Sequence, residues 1–340
     1  MIIRTTARSA TCLFCQWRTF STSYRRLADK PPTKPAATPA AVKAAVEDAK
    51  KPSGPLANAP RSYGKALEDF TPTPLGRPIG MNMPPRAGEN TGIDKRSLQQ
   101  RRDDFVDYEK HLARREELKS KMSKPYFRDW RNLQFHKGKT FLAPPRLFKA
   151  DLSLYFPNLH GRTIAKKGPA AKAADTTPLL EGKASVVTIF SSMWAENQVR
   201  SFTSPAENPA LHAVIGANKD RAQLVQVNVE EDTLKAWLIR LFMGSLRRRV
   251  GKENWDKYFL VRKGITDEIR ESIGVLNSKV GYTYLVDHEC RIRWAGSGPA
   301  EAEEKEGLVK GVRRILDEMS KEGVGQNLVK KPVAAKGAQS

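Results

Sequence analysis

Seven consecutive residues, ASVVTIF at 184–190, carry no charge and are rich in β-branched side chains. Such a run, bounded by polar residues, reads as a buried strand. It empties into a short polar turn, SSMWAENQ, followed by a helix-compatible segment. A strand feeding a turn and then a helix is the place where α/β folds gather their ligands and chemistry. The rest of the C-terminal half must be compatible with that unit.

The segments after it have a clear order. Asn208-Pro209 starts a helix, and AQLVQVNV (222–229) is a second strand. EEDTLKAWLIRLFMGSLRRRVG (230–251) repeats apolar residues at three- and four-residue spacing, with acids first, Arg247, Arg248 and Arg249 last, and Gly251 as cap. KYFLV (257–261) is a short strand. TDEIRESIGVLNS (266–278) is a helix capped by Thr266, with Ile269, Ile273 and Leu276 inward. GYTYLVD and CRIRWAG flank His288-Glu289 as a tight hairpin. The helix at 299–319 turns Leu308, Val312, Ile315, Leu316 and Met319 to one side. A βαβ half followed by a ββα half is the thioredoxin-like, or redoxin-like, α/β arrangement.

A redox-active protein of that fold keeps a thiol in the first turn, where the helix N-terminus lowers its pKa. Here the turn Ser191–Gln198 holds no cysteine, and NSKVGYTYLVD offers no proline before the third core strand. Ser191 or Ser192 would need an adjacent base to act as a nucleophile, and Glu196 is the one acid nearby. Asp287-His288-Glu289-Cys290 reads as a polar hairpin turn, since contiguous ligands rarely enclose one ion. No glycine-rich phosphate loop is present. The residues therefore predict a thioredoxin-like domain lacking redox cysteines, with no enzyme activity, metal or cofactor.

Charge and composition organise the remainder. Net charge is +22, a balance that suits acidic partners, nucleic acid or anionic membrane surfaces. Residues 1–27 hold five arginines and no acid, the pattern of a mitochondrial transit peptide. RTFS and RRLA place its cut after Phe20 or near Leu27. Cys12 and Cys15 fall inside that presequence, leaving Cys290 as the single cysteine of the mature chain. Residues 28–93 hold 12 of the 22 prolines without apolar periodicity and read as a disordered Pro/Ala-rich linker. Residues 94–150 form a charged helix with a thin stripe of Leu98, Phe105 and Leu112, then an aromatic and basic arm. Its Tyr126, Phe127, Trp130, Phe135 and Phe141 could stack nucleobases, but no RNA-binding motif accompanies them, and packing on the main domain is the favoured reading. The thioredoxin-like domain spans 151–322, and 323–340 is a disordered tail. No run approaches 18 apolar residues, so no transmembrane helix is expected.

Four blocks, SLYFPNLHGRTI, KASVVTIFSSMWAENQ, NVEEDTLKAWLIRLF and GYTYLVDHECRIRWAGSG, resemble a known family. It is that of the mitochondrial F-type ATP synthase assembly chaperones acting on Fo subunit 6 (subunit a). The resemblance runs from about residue 94 to 320 and implies a non-enzymatic protein peripheral to the inner membrane on its matrix side. It further implies Fo subunit 6 as partner, with joining to the subunit c ring as the outcome. The alternative is a basic matrix protein bound to RNA or ribosomes. A third reading is a degenerate thiol enzyme using Cys290. Partner-binding candidates are Trp194 in the first turn, Arg247, Arg248 and Arg249, and the hairpin arginines. Period two places Arg291 and Arg293 on an exposed face, with Ile292 and Trp294 together in the core.

Overall fold

The uncharged run at 184–190 forms the middle of a sheet, and all seven of its residues are buried. The computed structural model describes residues 54–323, apart from 63–66, 95, 123–126, 167–172, 231, 233–236, 238 and 240. The expected presequence with its Cys12–Cys15 pair, Tyr126, Leu234, Leu238 and the segment after Gly323 lie outside the described residues. Within them the chain forms α1 (Leu98–Val106), α2 (Tyr108–Met122), α3 (Arg128–Asn132), β1 (His160–Thr163), β2 (Ala174–Asp175) and α4 (Thr177–Leu180). Then follow β3 (Ala184–Phe190), α5 (Met193–Thr203), α6 (Pro209–Ala217), β4 (Ala222–Val229), α7 (Met243–Val250), β5 (Tyr258–Val261) and α8 (Asp267–Ser272). β6 (Tyr282–Val286), β7 (Ile292–Ser297) and α9 (Ala302–Lys321) close the order.

The strands lie in the order β2-β1-β5-β4-β3-β6-β7. β3 runs parallel to β4, and β4 to β5. β6 is antiparallel to β3, and β7 to β6. The four strands β4-β3-β6-β7, with a helical crossover in the first half and a hairpin plus α9 in the second, make the thioredoxin fold. The sheet is covered on both sides, which is why its central strands carry no alternation. On one side Ala184, Val186, Leu285 and Trp294 meet Phe202 of α5, Leu211 of α6 and Leu308, Val312 and Ile315 of α9. On the other, Val187, Ile189, Val225 and Tyr284 meet Ile269 and Ile273 around α8.

That second side corrects the linker expectation for 54–62 and 67–93. Leu56, Ala59, Leu75 and Ile79 are buried in the same cluster as Ile273 and Phe141. The backbone is tied down as well. The Leu75 N–H donates to the Leu142 carbonyl (3.1 Å), Gly80 to Ser272 (2.8 Å), and Met81 and Tyr155 exchange bonds at 2.7 and 2.8 Å. Gly80 has φ +142°, and a Cβ there would sit 2.8 Å from Leu154 Cβ, so the close approach requires glycine. Arg61 donates to Glu271 (3.1 Å) and to the carbonyls of Ala57 and Ala59. A strap of turns and irregular backbone has no period, so its apolar residues bury one by one without the pattern that marks a helix or strand.

The charged region splits into two helices. Asp107 interrupts it, its carboxylate accepting the Glu109 N–H (3.0 Å) as a cap for α2. No residue of α1 is buried, and Leu98, Phe105 and Leu112 face solvent. The arm after α3 packs on the domain: Phe141 is buried, and Lys139 is clamped by Glu304 (2.7 Å) and Glu301 (2.9 Å) at the start of α9. Trp130 stays half exposed beneath the Lys279 ammonium, 5.7 Å from the ring centre. No helix among the described residues is long and apolar enough to cross a membrane.

Candidate functional site

The β3–α5 turn is where this fold does chemistry, and it is built from capping residues. Ser192 takes extended backbone and its Oγ accepts the Ala195 N–H (3.2 Å), starting α5. Ser191 Oγ donates to the Ser278 carbonyl across the sheet end. The acid within the turn does not serve either serine. Glu196 pairs with Arg249 at 3.0 Å instead. The turn holds no nucleophile–base pair, and Met193 and Trp194 project outward at 65% and 48% exposure.

The opposite wall is closed by backbone contact. The Gly281 N–H donates to Gln198 Oε1 (2.9 Å), and Gln198 Nε2 donates to the Lys137 carbonyl (2.8 Å). A Cβ on Gly281 would run into the Ala195 carbonyl oxygen and lie 2.7 Å from Val199 Cγ1. No cis peptide bond occurs among the described residues. The first turn of α5 thus lies directly on the segment entering β6, where a redox protein would keep its substrate proline. Beside this contact, at the carboxyl ends of β3 and β4, lies a cleft of about 200 Å3 lined by Phe190, Ser191, Val229, Ile273 and Val280 among others.

Cys290 is not a substitute thiol. It lies buried in the β6–β7 turn with φ +63°. Burial, aided by the carboxylates of Glu181 and Asp287, pushes its pKa up to about 12. A thiol held neutral in that way packs as a small apolar side chain. No group of three or more His, Cys, Asp or Glu residues able to hold a metal ion occurs among the described residues.

The candidate arginines divide. Arg247 is structural: its Nε donates to the Ile164 carbonyl (2.6 Å), its guanidinium lies 5.9 Å from the Trp255 ring centre, and Trp255 Nε1 donates to the Arg247 carbonyl (3.0 Å). Arg248 is exposed. Arg249, through Glu196, ties α7 to the first turn of α5 and so to Trp194. Arg291 pairs with Glu289 and lies over Tyr155, 5.8 Å from its ring centre.

Arg293 reverses expectation. It is 4% exposed. It donates to the Phe148 carbonyl (2.8 Å) and to Glu318 of α9 (3.0 Å), and lies 3.4 Å from buried Asp287. The cause is a bulge: Leu285 pairs with Trp294 but Val286 pairs with Ile292, leaving Arg293 as the extra residue. One inserted residue switches the parity of a strand. Ile292 therefore joins the α8 side and Trp294 the α9 side, rather than sharing a face. The segment 148–156 then covers the outer edge of β7 and removes the exposed face that period two assigned to the arginines.

Sequence reasoning passed over Trp237, Leu241 and Phe242 as site residues. Their spacing marked the 230–251 segment as an apolar-faced helix, yet all three are exposed. The signal available was the charge of 233–252, six Lys and Arg with no acid.

Strand order and turn together define a thioredoxin-fold protein whose redox position has been given over to helix capping and packing. The comparisons with known proteins are specific. The family model described as ATP10 protein matches residues 61–315, and the chain belongs to that family. A relative from Eremothecium gossypii, named mitochondrial ATPase complex subunit ATP10, is 32% identical over 264 residues, covering 76% of this chain and 92% of its own. The protein of the same name from Saccharomyces cerevisiae is 30% identical over 250 residues, 71% of this chain and 86% of its own. A secreted thiol-disulfide isomerase from Corynebacterium glutamicum is similar in structure at a TM-score of 0.35 and 11% identity, covering 53% of this chain and 99% of that one. The fold class rests on the strand order, not on that likeness.

Proposed function

We propose that this chain is a non-enzymatic mitochondrial assembly factor of the ATP synthase, binding newly made Fo subunit 6 and promoting its joining to the subunit c ring. It works from the matrix side as a peripheral protein of the inner membrane. The observation that carries the reading is the family match across 61–315, whose relatives are named as subunits of the mitochondrial ATPase complex. The Ser192-capped turn, with Glu196 engaged by Arg249, supports a binding role over a catalytic one.

The test is crosslinking in intact mitochondria with radiolabelled, newly synthesised membrane subunits. Subunit 6 is expected to crosslink to this protein before it enters the assembled Fo sector. Deleting the gene should deplete assembled subunit 6 while its translation continues. Normal Fo assembly in the deletion strain would overturn the proposal.

A further inference from the structure

The inner side of α7 is fully used. Met243, Leu246 and Val250 pack on Ile164, Phe190, Val199 and Tyr258. Trp237, Leu241 and Phe242 take no part in that cluster and are exposed by 59, 63 and 62%. Trp237 and Leu241 are helical, four residues apart, and Phe242 stands at the turn immediately before α7. Three large apolar side chains held in water are costly unless something covers them.

The charge beside them is one-sided. Residues 233–252 contain six Lys and Arg and no Asp or Glu. Arg248 is exposed on α7. The Arg249–Glu196 pair brings the α5 end, with exposed Met193 and Trp194, alongside the same helix. Aromatic and aliphatic tips beside the exposed Arg248, in a stretch whose only charged residues are basic, match a surface that is apolar below and anionic above, which is the interface of a lipid bilayer. A nucleic acid would satisfy the arginines but leave Leu241 and Met193 uncovered. An apolar protein helix would cover those but gain nothing from the basic residues of 233–252.

We propose that the face formed by Trp237, Leu241, Phe242, Met193, Trp194 and Arg248 docks on an anionic lipid surface, its apolar side chains entering the headgroup–acyl boundary. This rests on the peripheral-membrane reading above and assigns the surface that makes the contact. The test is flotation of the purified protein lacking the expected presequence, residues 1–27, with phosphatidylcholine vesicles, with and without phosphatidylglycerol. The unchanged protein is expected to float with the anionic vesicles only. The double variant Leu241→Glu/Phe242→Glu, and separately Arg248→Glu, should lower binding roughly tenfold, whereas Arg248→Lys should retain it. All three positions tested are exposed, and unchanged thermal melts check that the fold is intact. If the unchanged protein does not float, both the peripheral reading and this inference fail. If it floats and the Glu variants float equally, the peripheral reading stands and this surface is wrong. If the variants float normally but lose newly made membrane subunits in pull-downs, the face is a protein-docking surface and the inference is overturned.

Discussion

The β3–α5 turn and the β6–β7 hairpin face opposite fates within one sheet. The turn sits where this fold exposes reactive groups, yet its polar side chains only cap and tether: Ser192 on Ala195, Ser191 on Ser278, Gln198 on Gly281. The hairpin sits at a strand end with no inherited role in chemistry, yet it buries Asp287 and Arg293 and reaches Glu318. A buried charge is tolerated when its partners are fixed, and α9 fixes them. Ionisable groups therefore mark the joint between sheet and closing helix, and a search for function by charge alone would have chosen the wrong end.

The largest effect should come from breaking that joint. Arg293→Ala leaves Asp287 buried without its cation and is expected to destabilise the protein by about 3–5 kcal/mol. A fall in the denaturant midpoint measures it, and an unchanged midpoint would mean that the hairpin charges are dispensable. Next, Gly281→Val forces a branched side chain into the α5 backbone and should cost about 1–3 kcal/mol. A stable variant would show that the turn and the β6 entry are not tightly packed.

The pH response sharpens the contrast further. Burial alone would raise the Glu318 pKa, but hydrogen bonds and charge from Arg293, then Arg314, outweigh it and leave the value lowered from 4.5. A carboxylate lowered on folding contributes stability that is complete above 4.5 and is lost as pH falls through the folded value. Glu318→Gln should therefore weaken the protein at neutral pH and flatten its acid unfolding curve; parallel curves for the two proteins would remove the pair from the account. The smallest effect is expected at the turn. Ser192→Ala should cost about 1 kcal/mol as a lost cap while assembly of the ATP synthase proceeds normally. Loss of assembly with the melt unchanged would give the turn a chemical role and collapse the comparison.

Much of this was readable from residue order. The strands at 184–190 and 222–229, the Thr266 and Asn208 caps and the inward stripe of α9 all stand where periodicity and capping rules place them. Three things were not readable. Leu56, Ala59, Leu75 and Ile79 bury singly from an irregular strap, which carries no period. Arg293 moved inward because a bulge altered strand parity, and bulges leave little trace in one sequence. Trp237, Leu241 and Phe242 lie in a segment whose spacing announces an amphipathic helix without saying whether its apolar side meets the core or solvent.

The strap also sets an order of events during folding. Arg61 finds Glu271 across 210 residues of chain, and Leu56 and Ile79 pack around Gly274 and Ile273. A chain entering its compartment N-terminus first delivers the strap long before α8 exists to receive it. Closing a loop of that length is an entropic toll met only late. The apolar side of the strap therefore stays open until nearly the whole domain has arrived, so a chain cut short ahead of α8 leaves both the strap and one side of the sheet bare.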